Sequence, residues 1–103
     1  MPTFQLINAH DAKQRSLNED VKIVDIRDDK SFETDHVEGS FHLTNASVAK
    51  FMKEVDVNTP VFVICYHGNS SKGVAQYLCE QGYLDVYSIE GGFTDWRIVH
   101  PHE

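Results

Sequence analysis

Thr59-Pro60-Val61-Phe62-Val63-Ile64-Cys65-Tyr66-His67-Gly68-Asn69-Ser70-Ser71-Lys72-Gly73-Val74-Ala75 is the stretch on which the reading of the whole chain turns. Four consecutive apolar residues after a proline are the pattern of a strand covered on both faces, as in a parallel sheet. A short polar loop with one glycine follows, and then helix-forming residues behind Ser70 or Ser71. Such a strand–loop–helix joint aims unpaired backbone N–H groups at one point, and here a thiol, Cys65, stands at that point. A thiol so placed can be held as a thiolate, the form that attacks.

Charge around the joint supports an anion site. The chain has 16 acidic residues among 103 and a net charge of -7, yet no Asp or Glu lies between Asp56 and Glu80. An even spread would put roughly three or four there. A buried strand excludes charge and accounts for Val61 to Ile64, but not for the loop and first helical turn. Gly68 lets the loop bend back and Asn69 tolerates unusual dihedrals, so the loop amides form a nest around the sulfur. The thiol of Cys65 is accordingly expected to titrate below the free value. Cys79 reads the other way: Val74, Ala75, Leu78 and Cys79 share a helical face, which makes Cys79 a packing residue.

The bulk properties set the frame. A length of 103 residues fits one domain spanning 1–103, with 41% hydrophobic and 24% charged residues as in ordinary globular proteins. The acidic balance argues against nucleic acid or an anionic membrane as partner. No apolar stretch nears the ~20 residues of a membrane span, and Met1-Pro2-Thr3-Phe4-Gln5 shows no secretory signal. Two cysteines do not make a disulfide framework, and Cys79 falls about 13 Å along the helix from its start. A reducing, cytoplasmic protein with one working thiol is expected. None of the six histidines falls in the spacing of a structural zinc site, and no metal or cofactor is expected. His100 and His102 read as exposed tail residues. His67 reads either as a donor beside the thiol or as an exposed loop residue.

Along the chain, short apolar runs alternate with amphipathic stretches. Strands are expected at Phe4 to Ile7, Val21 to Ile26, Ser40 to Leu43, Val61 to Cys65 and Val86 to Ile89. Helices are expected from Ala9 to Leu17 behind an Asn8 cap and from Asp28 or Asp29 through Phe32. Three more should follow: one behind Thr44 or Asn45, one from Ser70 or Ser71 to a C′ residue at Gly82, and one from Gly91-Gly92 through Trp96. The alternation implies crossover units, a parallel sheet and helices on both faces, an α/β fold. Ligands bind beyond the carboxyl ends of such strands, which is where Cys65 falls.

Four ordered segments carry a family resemblance: Val24-Asp25-Ile26-Arg27, Phe32-Glu33-Thr34-Asp35-His36-Val37-Glu38-Gly39-Ser40, Cys65 with its loop, and Gly91-Gly92-Phe93-Thr94-Asp95-Trp96. In this order they resemble the signatures of a rhodanese domain over nearly the whole chain. The likeness is closest to the short, single-domain GlpE-type thiosulfate sulfurtransferases through Phe41-His42-Leu43-Thr44-Asn45 and Cys65 to Gly73. One segment departs: the family usually has His-Ile-Pro-Gly-Ala where this chain has His36-Val37-Glu38-Gly39-Ser40, a structural turn in the family.

The resemblance implies a five-stranded parallel sheet flanked by helices and a sulfur-accepting Cys65. Thiosulfate is the implied donor, sulfite the leaving group, and cyanide or a dithiol such as thioredoxin the acceptor. Tyr66, His67, Gly68, Asn69, Ser70, Ser71 and Lys72 are then the loop that cradles substrate and persulfide, with Ser70 and Ser71 adding hydroxyl donors. Lys72 reads either as an attraction for a dianionic donor or as a solvated surface lysine. Arg27 reads as the partner of a nearby carboxylate rather than a substrate ligand.

Three other functions fit parts of the pattern. A cysteine phosphatase or arsenate reductase would need an arginine at 71, where serine stands, and no arginine occurs from 65 to 80. A non-catalytic rhodanese-like module would typically lack the cysteine. A persulfide carrier fed by a protein donor shares the loop with the thiosulfate enzyme.

Overall fold

Val61, Phe62, Val63 and Ile64 are buried without exception, as a strand flanked on both faces requires. They form the middle strand of the computed structural model, which describes residues 3–101. In chain order the elements are β1 (Gln5–Ile7), α1 (Ala9–Asn18), β2 (Lys22–Asp25), α2 (Asp29–Thr34), β3 (Phe41–His42), α3 (Val48–Glu54), β4 (Val61–Ile64), α4 (Ser70–Glu80), β5 (Val86–Ile89) and α5 (Gly92–Val99). The sheet runs β1-β5-β4-β2-β3, and every pairing is parallel. The α/β fold expected from the alternation is therefore present, with five parallel strands and helices on both faces.

The two-residue period of a strand sorts the core into two clusters. Val61 and Val63 pack with Val24, Val86, Phe51, Ala75 and Leu78 on the side of α3 and α4. Phe62 and Ile64 pack with Ile7, Ile23, Ile89, Ala12 and the fully buried Trp96 on the side of α1 and α5. By the same alternation Cys65 turns toward α4.

Helix ends largely follow their cap residues. Asn8 accepts from the Asp11 amide at 2.7 Å, and Asp28 accepts from the Ser31 amide at 3.2 Å. Gly82, with φ +106°, ends α4 in a Schellman arrangement: the Tyr83 amide donates to Leu78 and the Gly82 amide to Cys79. The start of α3 differs from expectation. Ser47, not Thr44 or Asn45, is its cap residue, because the Thr44 hydroxyl oxygen accepts from the Ala46 and Ser47 amides and forms a turn ahead of the helix.

The third strand is also shorter than Ser40 to Leu43. It is an edge strand, and only Phe41 and His42 lie in register with Val24 and Asp25. His100 is not a free tail residue: its Nε2 lies 3.0 Å from the Ala9 carbonyl oxygen and its ring meets the edge of Trp96. His102 lies outside the described residues. Among the described residues no helix is long and apolar enough to cross a membrane.

The topology selects one crevice. From β4 the chain crosses toward β5, whereas from β2 it crosses toward β3, so the connections diverge between β4 and β2. Open α/β sheets bind ligands at such a point, beyond the carboxyl edge. The residues emerging there are Cys65 from β4 and Ile26-Arg27 from β2, brought side by side as the Ile26 amide donates to the Ile64 carbonyl.

Candidate active site

Helix α4 begins without a side-chain cap. Asn69 occupies the cap position in ordinary right-handed geometry (φ -92°, ψ -56°) and its side chain accepts nothing from the first turn. The acceptor is instead the sulfur of Cys65. The amide of Ser71, the second residue of α4, lies 3.3 Å from Sγ, where a cap oxygen would ordinarily sit. The amide of Gly68 lies 3.1 Å from the same sulfur. The Ser71 hydroxyl is a third partner, with Oγ at 3.3 Å from Sγ. A thiol donates its proton to that oxygen; a thiolate receives the hydroxyl proton instead.

These partners decide the ionisation. Cys65 is only 4% exposed. Burial pushes the thiol up, but the Ser71 hydroxyl and the amides of Ser71, Gly68 and His67 more than offset it and hold the thiol below its ordinary value. Cys79 shows the contrary case: burial pushes its thiol up, with Glu80 adding to the effect. Both cysteines are free thiols, and only Cys65 faces a ring of donors.

The loop holds its shape through glycine. Gly68 has φ +91°, and a side chain there would strike the Gly91 amide nitrogen at 2.9 Å, so the bend and the close approach both require glycine. The unusual backbone expected of Asn69 is not used, since no non-glycine residue among the described residues has positive φ. The start of α5 secures the other side. Its Phe93 and Thr94 amides donate to the carbonyls of Cys65 (2.7 Å) and Tyr66 (3.1 Å), so one helix's orphan donors fix the loop's outward carbonyls while another's face the sulfur.

The remaining loop residues divide between structure and surface. Tyr66 is exposed, and its hydroxyl reaches back to the first turn of α2, bonding Asp28 and, at 2.7 Å, Ser31. His67 is exposed, with Nδ1 3.2 Å from the Thr94 hydroxyl. Asn69, Ser70 and Lys72 are exposed too. Ser70, expected to share the donor role, does not reach the sulfur; Ser71 does, because only the second residue of the helix faces inward.

Arg27 ties together the elements around the site. Its guanidinium grips the fully buried Asp25 carboxylate through Nε and Nη2, at 2.8 Å for the shortest contact, and donates to the Asp35 carbonyl at 2.6 Å. It also lies 3.9 Å over the ring of Phe93. The carboxylate partner is the one the sequence suggested; the further contacts tie the carboxyl ends of β2 and α2 to the start of α5. A cleft of about 620 Å³ opens beside the site, between Ile26 and Leu43 on one side and Val74 and Tyr77 on the other; Cys65 does not line it.

Sequence reading missed Ser88. Its hydroxyl lies 2.7 Å from Ser71 Oγ, and both residues are fully buried. The available signal was a lone hydroxyl within the apolar strand Val86-Tyr87-Ser88-Ile89, where an unpartnered polar atom is costly. It also missed the service of Phe93 and Thr94 to the loop, which no spacing announces.

A parallel α/β sheet with a thiol cradled by loop amides at its switch point defines a class of cysteine-centred proteins. A family model, the rhodanese-like domain, matches residues 8–98, and the chain belongs to that family. Among solved structures, it is similar to a rhodanese-related protein from Thermoplasma volcanium, at 23% identity and TM-score 0.79 over 94% of each chain. It is also similar to reduced CoADR-RHD of Bacillus anthracis, at 22% identity and TM-score 0.80. There 95% of this chain matches, spanning only 17% of the larger one. A Rhodopseudomonas palustris protein, called of unknown function and a possible tyrosine phosphatase, shares 29% identity at TM-score 0.78, over 93% of this chain and 81% of its own.

Proposed function

We propose that the protein is a thiosulfate sulfurtransferase in which Cys65 carries sulfur as a persulfide. The observation that carries this reading is the approach of two amides and one hydroxyl to Cys65 Sγ, all at 3.1–3.3 Å. Such a nest favours an anionic sulfur over a neutral one. The Cys65 thiolate attacks the outer sulfur of thiosulfate; the new S–S bond forms as the old one breaks, and sulfite leaves with the bonding pair. The resulting persulfide is again anionic and meets the same donors.

In the second step an acceptor attacks the outer sulfur and Cys65 departs as thiolate. Cyanide takes the sulfur as thiocyanate. A dithiol such as thioredoxin takes it as its own persulfide, and its second thiol then expels hydrosulfide to leave a disulfide. The scheme is ping-pong and needs neither metal nor cofactor. Two free thiols suit a reducing compartment such as the cytoplasm. Exposed Lys72, in the first turn of α4, draws in the dianion.

Phosphate-ester chemistry, raised by the Rhodopseudomonas protein's printed description, is disfavoured: its loop needs an arginine fork for the tetrahedral oxyanion, and position 71 is serine. The test is intact mass after brief exposure to thiosulfate, paired with sulfite release. One added sulfur atom, located at Cys65 and absent in Cys65→Ala, is expected. Unchanged mass with no sulfite would sink the proposal, and p-nitrophenyl phosphate hydrolysis lost in Cys65→Ser would replace it.

A further inference from the structure

We infer that Ser88, which the sequence reading left aside, is a positioning residue for the thiol: it aims the Ser71 hydroxyl at the Cys65 sulfur. This deepens the sulfurtransferase reading and rests on it for its purpose, though not for its geometry. Ser88 lies on β5 beside Val63 of β4, on the α4 side of the sheet, and its Oγ is 2.7 Å from Ser71 Oγ. Ser71 Oγ is in turn 3.3 Å from Sγ. Both hydroxyls are fully buried, so neither has water as an alternative partner.

The three groups form a chain whose direction follows the charge on sulfur. With a neutral thiol, S–H donates to Ser71, whose own proton goes to Ser88. With a thiolate or persulfide, Ser71 donates to sulfur and accepts from Ser88. The proton positions reverse along the row, and no proton is gained or lost by either serine. Ser71 is the second residue of α4, so no helical carbonyl lies one turn earlier to accept its hydroxyl proton. Ser88 supplies the second partner, at 2.7 Å, in the orientation that faces Cys65. Polarisation along the row strengthens the donation to an anion further.

The action of Ser88 therefore passes through Ser71 and touches no substrate. Its test is the pH profile of Cys65 alkylation by iodoacetamide in the full chain, with the labelled site located by peptide mass so that Cys79 does not contribute. In Ser88→Ala the midpoint should rise by about 0.5–1 pH unit, a three- to ten-fold fall in the acid dissociation constant of the thiol. Ser71→Ala should rise at least as far, and adding Ser88→Ala to it should change nothing more, since the intermediary is gone. Ser88→Thr, which keeps the hydroxyl, should restore the profile; if its extra methyl prevents folding, the alanine cycle decides alone.

An unshifted midpoint in Ser88→Ala overturns the inference. So does an equal shift from Ser88→Ala with and without Ser71, which would mark a packing effect. Sulfite release from thiosulfate is measured alongside. Wild type that shows the alkylation pattern but releases no sulfite would reject the sulfurtransferase reading and leave the positioning role standing.

Discussion

Cys65 and Cys79 are chemically identical side chains, fourteen positions apart, that the fold treats in opposite ways. Cys79 packs in the apolar cluster beneath α4, where burial penalises its charged form. Cys65 is equally buried, yet burial there loses to the Ser71 hydroxyl and to the amides of Ser71, Gly68 and His67. The sign of the pH dependence follows. Only thiolate alkylates, so labelling of Cys65 should reach half its maximal rate below the ordinary thiol value near pH ~8.5, and that of Cys79 above it. At pH 7 iodoacetamide should modify Cys65 nearly alone, as peptide mapping by mass would show; equal labelling of both would contradict the donor nest. That amides converge on Cys65 was legible in the sequence, because an apolar strand, a glycine loop and a helix start announce it. Which serine joins it was not, because Ser70 and Ser71 differ only in which way the first turn of α4 faces.

Elements meet the site by their ends. The start of α4 directs its amides at the sulfur, and the start of α5 directs Phe93 and Thr94 amides at the loop carbonyls. Gly92 makes the second arrangement possible. It has φ +59°, and a Cβ there would stand 2.4 Å from the Cys65 carbonyl oxygen and 2.6 Å from the Tyr66 carbonyl carbon. Because those neighbours are backbone, they cannot rotate away. Gly92→Ala should cost about 2 kcal/mol or more, a fall of about 10 °C in melting temperature for a domain of this size. It should also slow Cys65 alkylation at pH 7, since α5 can relieve the clash only by displacing the loop. A thermal melt and labelling profile matching wild type would show that α5 does not hold the loop. The Gly91-Gly92-Phe93-Thr94 segment was visible as part of a family signature; the carbonyls that its Phe93 and Thr94 amides serve lie 28 residues earlier, beyond the reach of local pattern.

Over the whole molecule, charge opposes the proposed donor. The net charge of -7 repels a dianion at long range, whereas the amides and hydroxyl at the sulfur act only at contact. Salt screens the first and leaves the second, with a Debye length of about 10 Å at 0.1 M. For thiosulfate, kcat/KM should therefore rise about two- to three-fold between ~0.01 M and ~0.15 M ionic strength, with kcat nearly unchanged. A falling kcat/KM in initial-rate assays would mean that a local positive field around Lys72 outweighs the acidic body.

The pattern of apolar runs and helical stretches was enough to determine five parallel strands, helices on both faces and a cysteine at a carboxyl edge. These features repeat every two or 3.6 residues and so are written locally. The tertiary structure alone decided that Ser88 stands behind Ser71, that α5 ties down the loop, and that Ser47 rather than Thr44 begins α3. It also placed Arg27 between Asp25, Asp35 and Phe93, where the sequence indicated only a carboxylate partner. Each depends on strand order and helix rotation, which bring together residues far apart in the chain; a one-dimensional pattern holds no record of those distances.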